Sequence, residues 1–431
     1  MDSTTSTHPN KTLWTNFANL FLGIWLIVSY APLGYASTAM IANDVICGAL
    51  LILFTIRIFS GCVMAPWAAA VIGIWLQLAP LVFWAPNAVM YLNDTLVGAL
   101  VIAFSILIPG VPGKKKSVSE IPQGWSYNPS SWMQRLPVIA LACLGWFLAR
   151  YMAAYQLGYM SSIWDPFFGD GTLKVITSDL SKSFPISDAG LGAAAYTIET
   201  LMGCKGDQSR WKTMPWMVIF FGILVVPLGI ISTLLIISQP LVVGAWCGIC
   251  LITALAMVVM VALTVDEVTA TLQFLKRSVR GGKSFWLVFW KGEEARGEKE
   301  DWRTPSFTSP LRKIFGAMFW GVNIPWTLLV SALLGVLLVS FPALFGYEGA
   351  AADNNSIFGA LTVVVSLIAM AEVVRKGRLI TVVFGGWILI SAFLFGSETI
   401  SLWVQFLQAL IGLALICLSL PKGKIKERYG N

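Results

Sequence analysis

Two cysteines stand three residues apart in the stretch Ala245-Trp246-Cys247-Gly248-Ile249-Cys250-Leu251. Thiols at that spacing can close a short disulfide, share a metal ion, or pack between helices as small apolar side chains. Zinc asks for about four ligands. The chain's one histidine is His8, and no second cysteine pair lies on the same side, so no metal is expected. Redox chemistry and plain packing both stay open at this point. A helix N-terminus would stabilise a thiolate, which is what disulfide exchange needs.

The elements that carry the pair must lie in a membrane. Hydrophobic residues make up 57% of the chain and charged residues 12%, half of what a soluble surface needs. Apolar runs long enough to span hydrocarbon as helices recur throughout. They predict an all-α, polytopic membrane protein with about twelve spans. Four fall near 16–35, 42–58, 63–84 and 92–110, and four near 136–157, 187–203, 215–238 and 246–265. The last four fall near 319–345, 355–373, 379–396 and 400–420. Cys247 and Cys250 therefore open the eighth span. Of the 29 Lys and Arg, only Lys174, Lys182 and Arg150 fall outside one set of loops and flanks. By the positive-inside rule that set is cytoplasmic, both termini included, and the cysteine pair faces the other side. The net charge of +7 is mostly this topology signal, so no nucleic-acid partner is expected. Cys204, beside Lys205, falls across the bilayer from the pair.

The first four spans repeat. Gly23/Gly73, Trp25/Trp75, Asn43/Asn93, Asp44/Asp94 and Gly48/Gly98 each sit 50 residues apart, a strong internal-repeat signal. A fainter version surrounds Gly335, Asn354 and Gly385. The unit is a helical hairpin used four times. Gly48 and Gly98 permit close helix approach. Asn43-Asp44 and Asn93-Asp94 are expected at helix starts as caps, and Pro32 and Pro80 near helix ends. No embedded charge is conspicuous here. This Gly-x-Trp-Leu pattern, followed by Pro and by Asn-Asp, resembles the SPW-repeat membrane family, closely over 17–110 and faintly over 325–420. That family implies membrane location and little about activity.

The middle of the chain carries a second resemblance. SKSFPISDAGLGAAAYTIETLMG, RWKTMPWMVIFFGILVVPLGIIS, QPLVVGAWCGICL and DEVTATLQFL together resemble a bacterial branch of the vitamin K epoxide reductase family. The family implies a four-helix bundle that couples thiol–disulfide exchange on the outer side to a membrane quinone. By this resemblance Cys247 exchanges with a substrate thiol and Cys250 faces the quinone. Asp188, Trp246 and Ala254 fall at quinone-binding positions, and Asp188 and Ala254 stand where relatives carry asparagine and tyrosine. Relatives also carry a second cysteine pair in the loop between their first two helices. Here that loop, 158–187, has none, so an outside protein, such as a periplasmic thioredoxin-like protein, would reduce the pair directly.

The boundaries that follow are a repeat domain at 1–112, a cytoplasmic linker at 113–135, the reductase-like domain at 136–275, a second linker at 276–315 and a second repeat domain at 316–431. Localisation is the bacterial inner membrane, with the lipid bilayer as a partner. Within the middle domain, Glu199 is expected to reach Lys205 or Arg210, and Arg150 to face Asp165 or Asp170. A scaffold derived from a catalytically reduced relative is the competing reading, favoured by the missing loop cysteines. A transporter is the third, suggested by span number alone.

Overall fold

The computed structural model describes residues 13–108, 118–295, 299–395 and 401–430. Helices stand at all twelve expected span positions. They are α1 Leu13–Val28, α2 Thr38–Phe59, α3 Ala65–Val82, α4 Ala88–Ile102, α5 Trp132–Gln156, α6 Asp188–Cys204, α7 Pro215–Ser238, α8 Gly248–Arg280, α9 Trp326–Phe345, α10 Ala350–Ile368, α11 Ile380–Leu394 and α12 Leu402–Ser419. Ten helical segments among the described residues are long and apolar enough to cross a membrane; α1 and α6 are shorter. No strand occurs among the described residues, only isolated β-bridges.

Compactness divides the chain into two units. The first holds Met1–Lys116, Trp146–Ile163 and Ser181–Gly206, and the second holds Ser117–Gly145, Trp164–Leu180 and Asp207–Asn431. The division runs through the central four helices. The second half of α5 and all of α6 go with α1–α4, while α7 and α8 go with α9–α12.

Within the first unit, the repeat glycines explain the hairpins. A Cβ built on Gly48 would lie 2.5 Å from the Gly23 carbonyl oxygen, and one on Gly98 would lie 2.6 Å from that of Gly73. Only glycine lets the backbones meet there. The two hairpins are tied reciprocally, Trp25 Nε1 donating to Asn93 Oδ1 and Trp75 Nε1 to Asn43 Oδ1, both at 2.8 Å. One expectation is corrected. Asn43-Asp44 and Asn93-Asp94 lie inside α2 and α4 rather than at their starts, because Ser37 and Asn87 already cap those helices through the N–H groups of Met40 and Met90. Pro80 lies in the last turn of α3, near the helix end as expected. Asp44 and Asp94 are consequently embedded acids, both fully buried.

The second unit repeats the glycine contacts at Gly335/Gly359 and Gly385/Gly412, each with a built Cβ 2.6–2.7 Å from the facing carbonyl. Its α8 is longer than expected, 33 residues, because Asp266-Glu267 and the polar stretch after them continue the helix. Their carboxylates are taken up by partners. Glu267 holds Arg210 through two bonds of 2.6 Å and accepts the Ser130 hydroxyl, and Asp266 accepts the Tyr127 hydroxyl. The chain's last residues close over this region. Gly430 N–H reaches Gly124 O at 3.0 Å, Tyr429 O–H donates to Glu372 at 2.9 Å, and Arg303 grips Glu427 at 2.6 and 2.7 Å.

Candidate active site

Helix α7 runs into a π-helical turn, Gln239–Val243, and Gly244 at φ +68° turns the chain back. That left-handed conformation costs a residue without Cβ little. The chain then enters α8 with Cys247 as its N-cap, at φ −103° and ψ 109°. The Cys250 N–H donates to Cys247 Sγ at 3.1 Å, and the Cys247 N–H donates to Gln239 Oε1 at 2.9 Å. The three-residue spacing is therefore also a capping spacing, since an N-cap side chain reaches the third helical N–H. A disulfide joins the two cysteines, with Cα atoms 5.2 Å apart.

The loop after α5 completes the site, and its key side chain is Asp165. One carboxylate oxygen accepts the N–H groups of Phe167 and Phe168 at 2.8 Å. The other accepts the N–H of Thr172 at 2.9 Å, the Thr172 hydroxyl at 2.5 Å and the N–H of Gly248 at 2.9 Å. Burial pushes this carboxyl up, but the bonds from Thr172, Phe167, Phe168 and Gly248 outweigh it and hold it down at about 2. An ionised carboxylate thus stands at the N-terminus of α8, where the helix dipole favours it.

Two glycines make room. A Cβ on Gly248 would lie 2.6 Å from Asp165 Oδ1, and one on Gly171 would lie 1.9 Å from the Trp246 carbonyl oxygen. The glycine inside Cys-Gly-Ile-Cys is thus explained by the approach of the acid. The short helix Gly171–Ile176 brings Thr172 Oγ1 to 3.4 Å from Cys247 Sγ. The single hydroxyl hydrogen goes to the charged Asp165, the shorter contact, which leaves the Thr172 oxygen free to accept from a Cys247 thiol after reduction. Cys247 is fully buried beneath this cover, and Cys250 is partly exposed.

The candidates read from the sequence are placed as follows. Cys247, Cys250, Trp246 and Ala254 lie together at the start of α8, with Trp246 and Ala254 partly buried. Asp188 belongs to the other unit, at the first turn of α6, where Ser187 is the cap. It accepts the Ser181 hydroxyl at 3.0 Å and the Gln156 amide at 2.5 Å. Arg150 does not pair with Asp165 or Asp170. It donates to Thr95 Oγ1 at 2.9 Å and lies over the Tyr91 ring at 4.6 Å. Glu199 does not engage Arg210, which Glu267 has taken; both Glu199 oxygens are buried and unpartnered. Sequence reasoning missed Gln239 and Thr172 and gave Asp165 the wrong partner. The signal available was Asp165-Pro166-Phe167-Phe168, an Asx-turn pattern in which the side chain binds N–H groups two and three residues on.

Fold and site together define a polytopic helical membrane protein with a disulfide at the mouth of one helix. Residues 136–265 match the Vitamin K epoxide reductase family, and residues 13–108 and 325–422 match the SPW repeat domain. The chain thus carries a stretch similar to the vitamin K epoxide reductase family between two stretches similar to the SPW repeat domain. No curated protein and no solved structure matches it. The family points to a membrane thiol oxidoreductase, and the Cys247–Cys250 pair supplies the thiols.

Proposed function

We propose that Cys247 and Cys250 pass electrons from an outside protein dithiol to a membrane quinone. The observation that carries this reading is the disulfide closed across a helix N-cap, with Cys247 Sγ already accepting the Cys250 N–H. The same N–H stabilises a thiolate after reduction. A partner thiolate attacks Cys247 Sγ, the Cys247–Cys250 bond breaks, and Cys250 leaves as a thiolate. The partner's second thiol then attacks the mixed disulfide and departs oxidised, leaving both cysteines reduced. Two electrons and two protons pass on to the quinone, giving a quinol, and the disulfide re-forms. Cys250 takes the quinone side, with Trp246 and Ala254 as quinone-binding positions. Because Cys247 is fully buried, its exchange requires the Gly171–Ile176 segment to move aside.

The site faces the non-cytoplasmic side of a bacterial inner membrane, with both termini cytoplasmic, by the distribution of Lys and Arg. A thioredoxin-like protein is the fitting reductant. The loop without cysteines, and the burial of Cys247, favour a second reading in which the domain is a scaffold with a structural disulfide. Trapping separates the two. Exchange is reversible, so if the pair is catalytic the free Cys247 thiolate of Cys250→Ser in native membranes attacks the disulfide of the oxidised partner, and the mixed disulfide accumulates because Cys250 is not there to resolve it. Absence of any adduct, together with wild-type thiols that stay reduced when quinone is supplied, sinks the catalytic reading.

A further inference from the structure

The first repeat domain contains a site that the thiol chemistry does not use. Asp44 in α2 and Asp94 in α4 are equivalent positions of the two hairpins, and both are fully buried. Their carboxyl groups face each other within hydrogen-bonding reach. Asn43 donates to Asp44 Oδ1 at 3.0 Å, but Asp44 Oδ2 and both oxygens of Asp94 have no partner. The other titratable groups facing the pair are Tyr35, whose hydroxyl accepts the Asn93 amide at 2.9 Å and has one hydrogen to offer the two carboxyl groups, and Cys47 on α2. Neither supplies positive charge. Two ionised carboxylates facing each other out of water would repel and lose their hydration.

The second repeat domain shows what the same frame does without acids. Aligned on the glycine pairs, Asp44 corresponds to Asn355 and Asp94 to Gln408. Asn355 Nδ2 donates to Gln408 Oε1 at 3.1 Å. The surroundings are kept: Tyr347 stands where Tyr35 does and accepts from Asn355 at 2.6 Å, and Trp387 donates to Asn354 at 2.7 Å as Trp75 does to Asn43. An amide hydrogen in the second domain thus occupies the place between two side chains where the first domain has two acids.

We propose that Asp44 and Asp94 form an intramembrane proton-binding site, the two carboxyl groups sharing one proton as an acid–carboxylate pair, and that the second repeat domain has replaced this site by a neutral amide pair. The shared proton converts the repulsion into a short charge-assisted O–H···O bond and gives partners to two of the three orphaned oxygens. The first repeat domain is then a proton-carrying element, and the second is its non-titrating counterpart.

The test is infrared spectroscopy of the full chain in liposomes at neutral pH, wild type against Asp44→Asn and Asp94→Asn. Each substitution leaves one carboxylate beside one amide, so the charge is conserved and an N–H replaces the O–H. A protonated-carboxyl C=O band is expected in the wild-type-minus-variant difference spectrum of both variants, in which any band from the buried Glu199 cancels. Asp44→Asn combined with Asp94→Gln installs the second domain's own pair; it is expected to fold and to lack the band as well. A wild-type spectrum that differs from the variants only in carboxylate bands overturns the proposal, and dependence of those bands on sodium or potassium would identify a cation site instead. Failure of both single variants to fold also overturns it, because each reproduces the charge and hydrogen bonding of the proposed pair.

Discussion

Asp165 accepts the backbone N–H of Gly248 at 2.9 Å, so a loop carboxylate caps the helix on which the cysteine pair stands. The same oxygen takes the Thr172 hydroxyl, whose oxygen touches Cys247. Loop, helix start and disulfide are thereby one hydrogen-bonded assembly.

Asp165→Ala leaves several buried N–H groups without an acceptor. An unsatisfied buried donor costs about 1–3 kcal/mol, so a clear fall in thermal stability is expected in detergent at neutral pH. The acid limb carries a sign. The carboxyl is held down from 3.8 to about 2, so its contribution is complete above the ordinary aspartate value and is lost as pH falls through about 2. Tm measured down that range should fall more steeply for wild type than for Asp165→Asn. Parallel curves would show that the acid does not stabilise the fold as an ion.

Gly171→Ala tests the cover over Cys247. The added Cβ would overlap the Trp246 carbonyl, so the Gly171–Ile176 segment must shift. Reduction of the Cys247–Cys250 disulfide by a water-soluble phosphine should become several-fold faster than in wild type. An unchanged rate would mean that this segment does not control access.

The glycine contacts predict a contrast. Gly98→Ala and Gly412→Ala drive a methyl group into a facing backbone, and overpacking of this kind costs about 1–3 kcal/mol. Gly316→Ala, in the short helix Leu311–Met318 with nothing near its built Cβ, should be neutral or stabilising through helix propensity. Equal Tm shifts in all three would remove the close-approach argument.

Arg210→Ala should be among the most damaging single changes in the second unit. It leaves the Glu267 carboxylate buried without its ion-pair partner, which costs about 3–5 kcal/mol. Replacing both members by apolar residues should recover much of the loss. A double variant no better than the single one would argue that the two side chains act separately.

The parts of this structure legible in the sequence were those written locally. Twelve helix positions follow from apolar runs, ten of them in segments long and apolar enough to span a membrane, and the hairpin glycines follow from a fixed repeat. The place of Cys247 at a helix start was likewise readable, because the turn at Gly244 and the apolar run after Cys250 are adjacent in the chain. Contacts across long separations were not readable. Asp165 is 83 residues from Gly248, and no pattern at either end announces the other. Arg150 shows why charge alone misleads: its guanidinium is satisfied by a threonine hydroxyl and an aromatic face, with no acid needed. Asn43-Asp44 reads as a cap because those residue types cap helices, yet Ser37 does so one and a half turns earlier and carries the acids into the interior.

Helix α8 has 33 residues, which at about 1.5 Å per residue is a rod of roughly 50 Å, against hydrocarbon about 30 Å thick. Its first turn holds the disulfide, and its far half holds Asp266, Glu267 and Gln273, the last gripped by Trp125 and Tyr429 at 2.9 Å. A rigid rod cannot rotate or slide at one end alone. Any repacking of the first turn when the disulfide opens must be absorbed there, or else be felt as torque by the tail that closes over the other end.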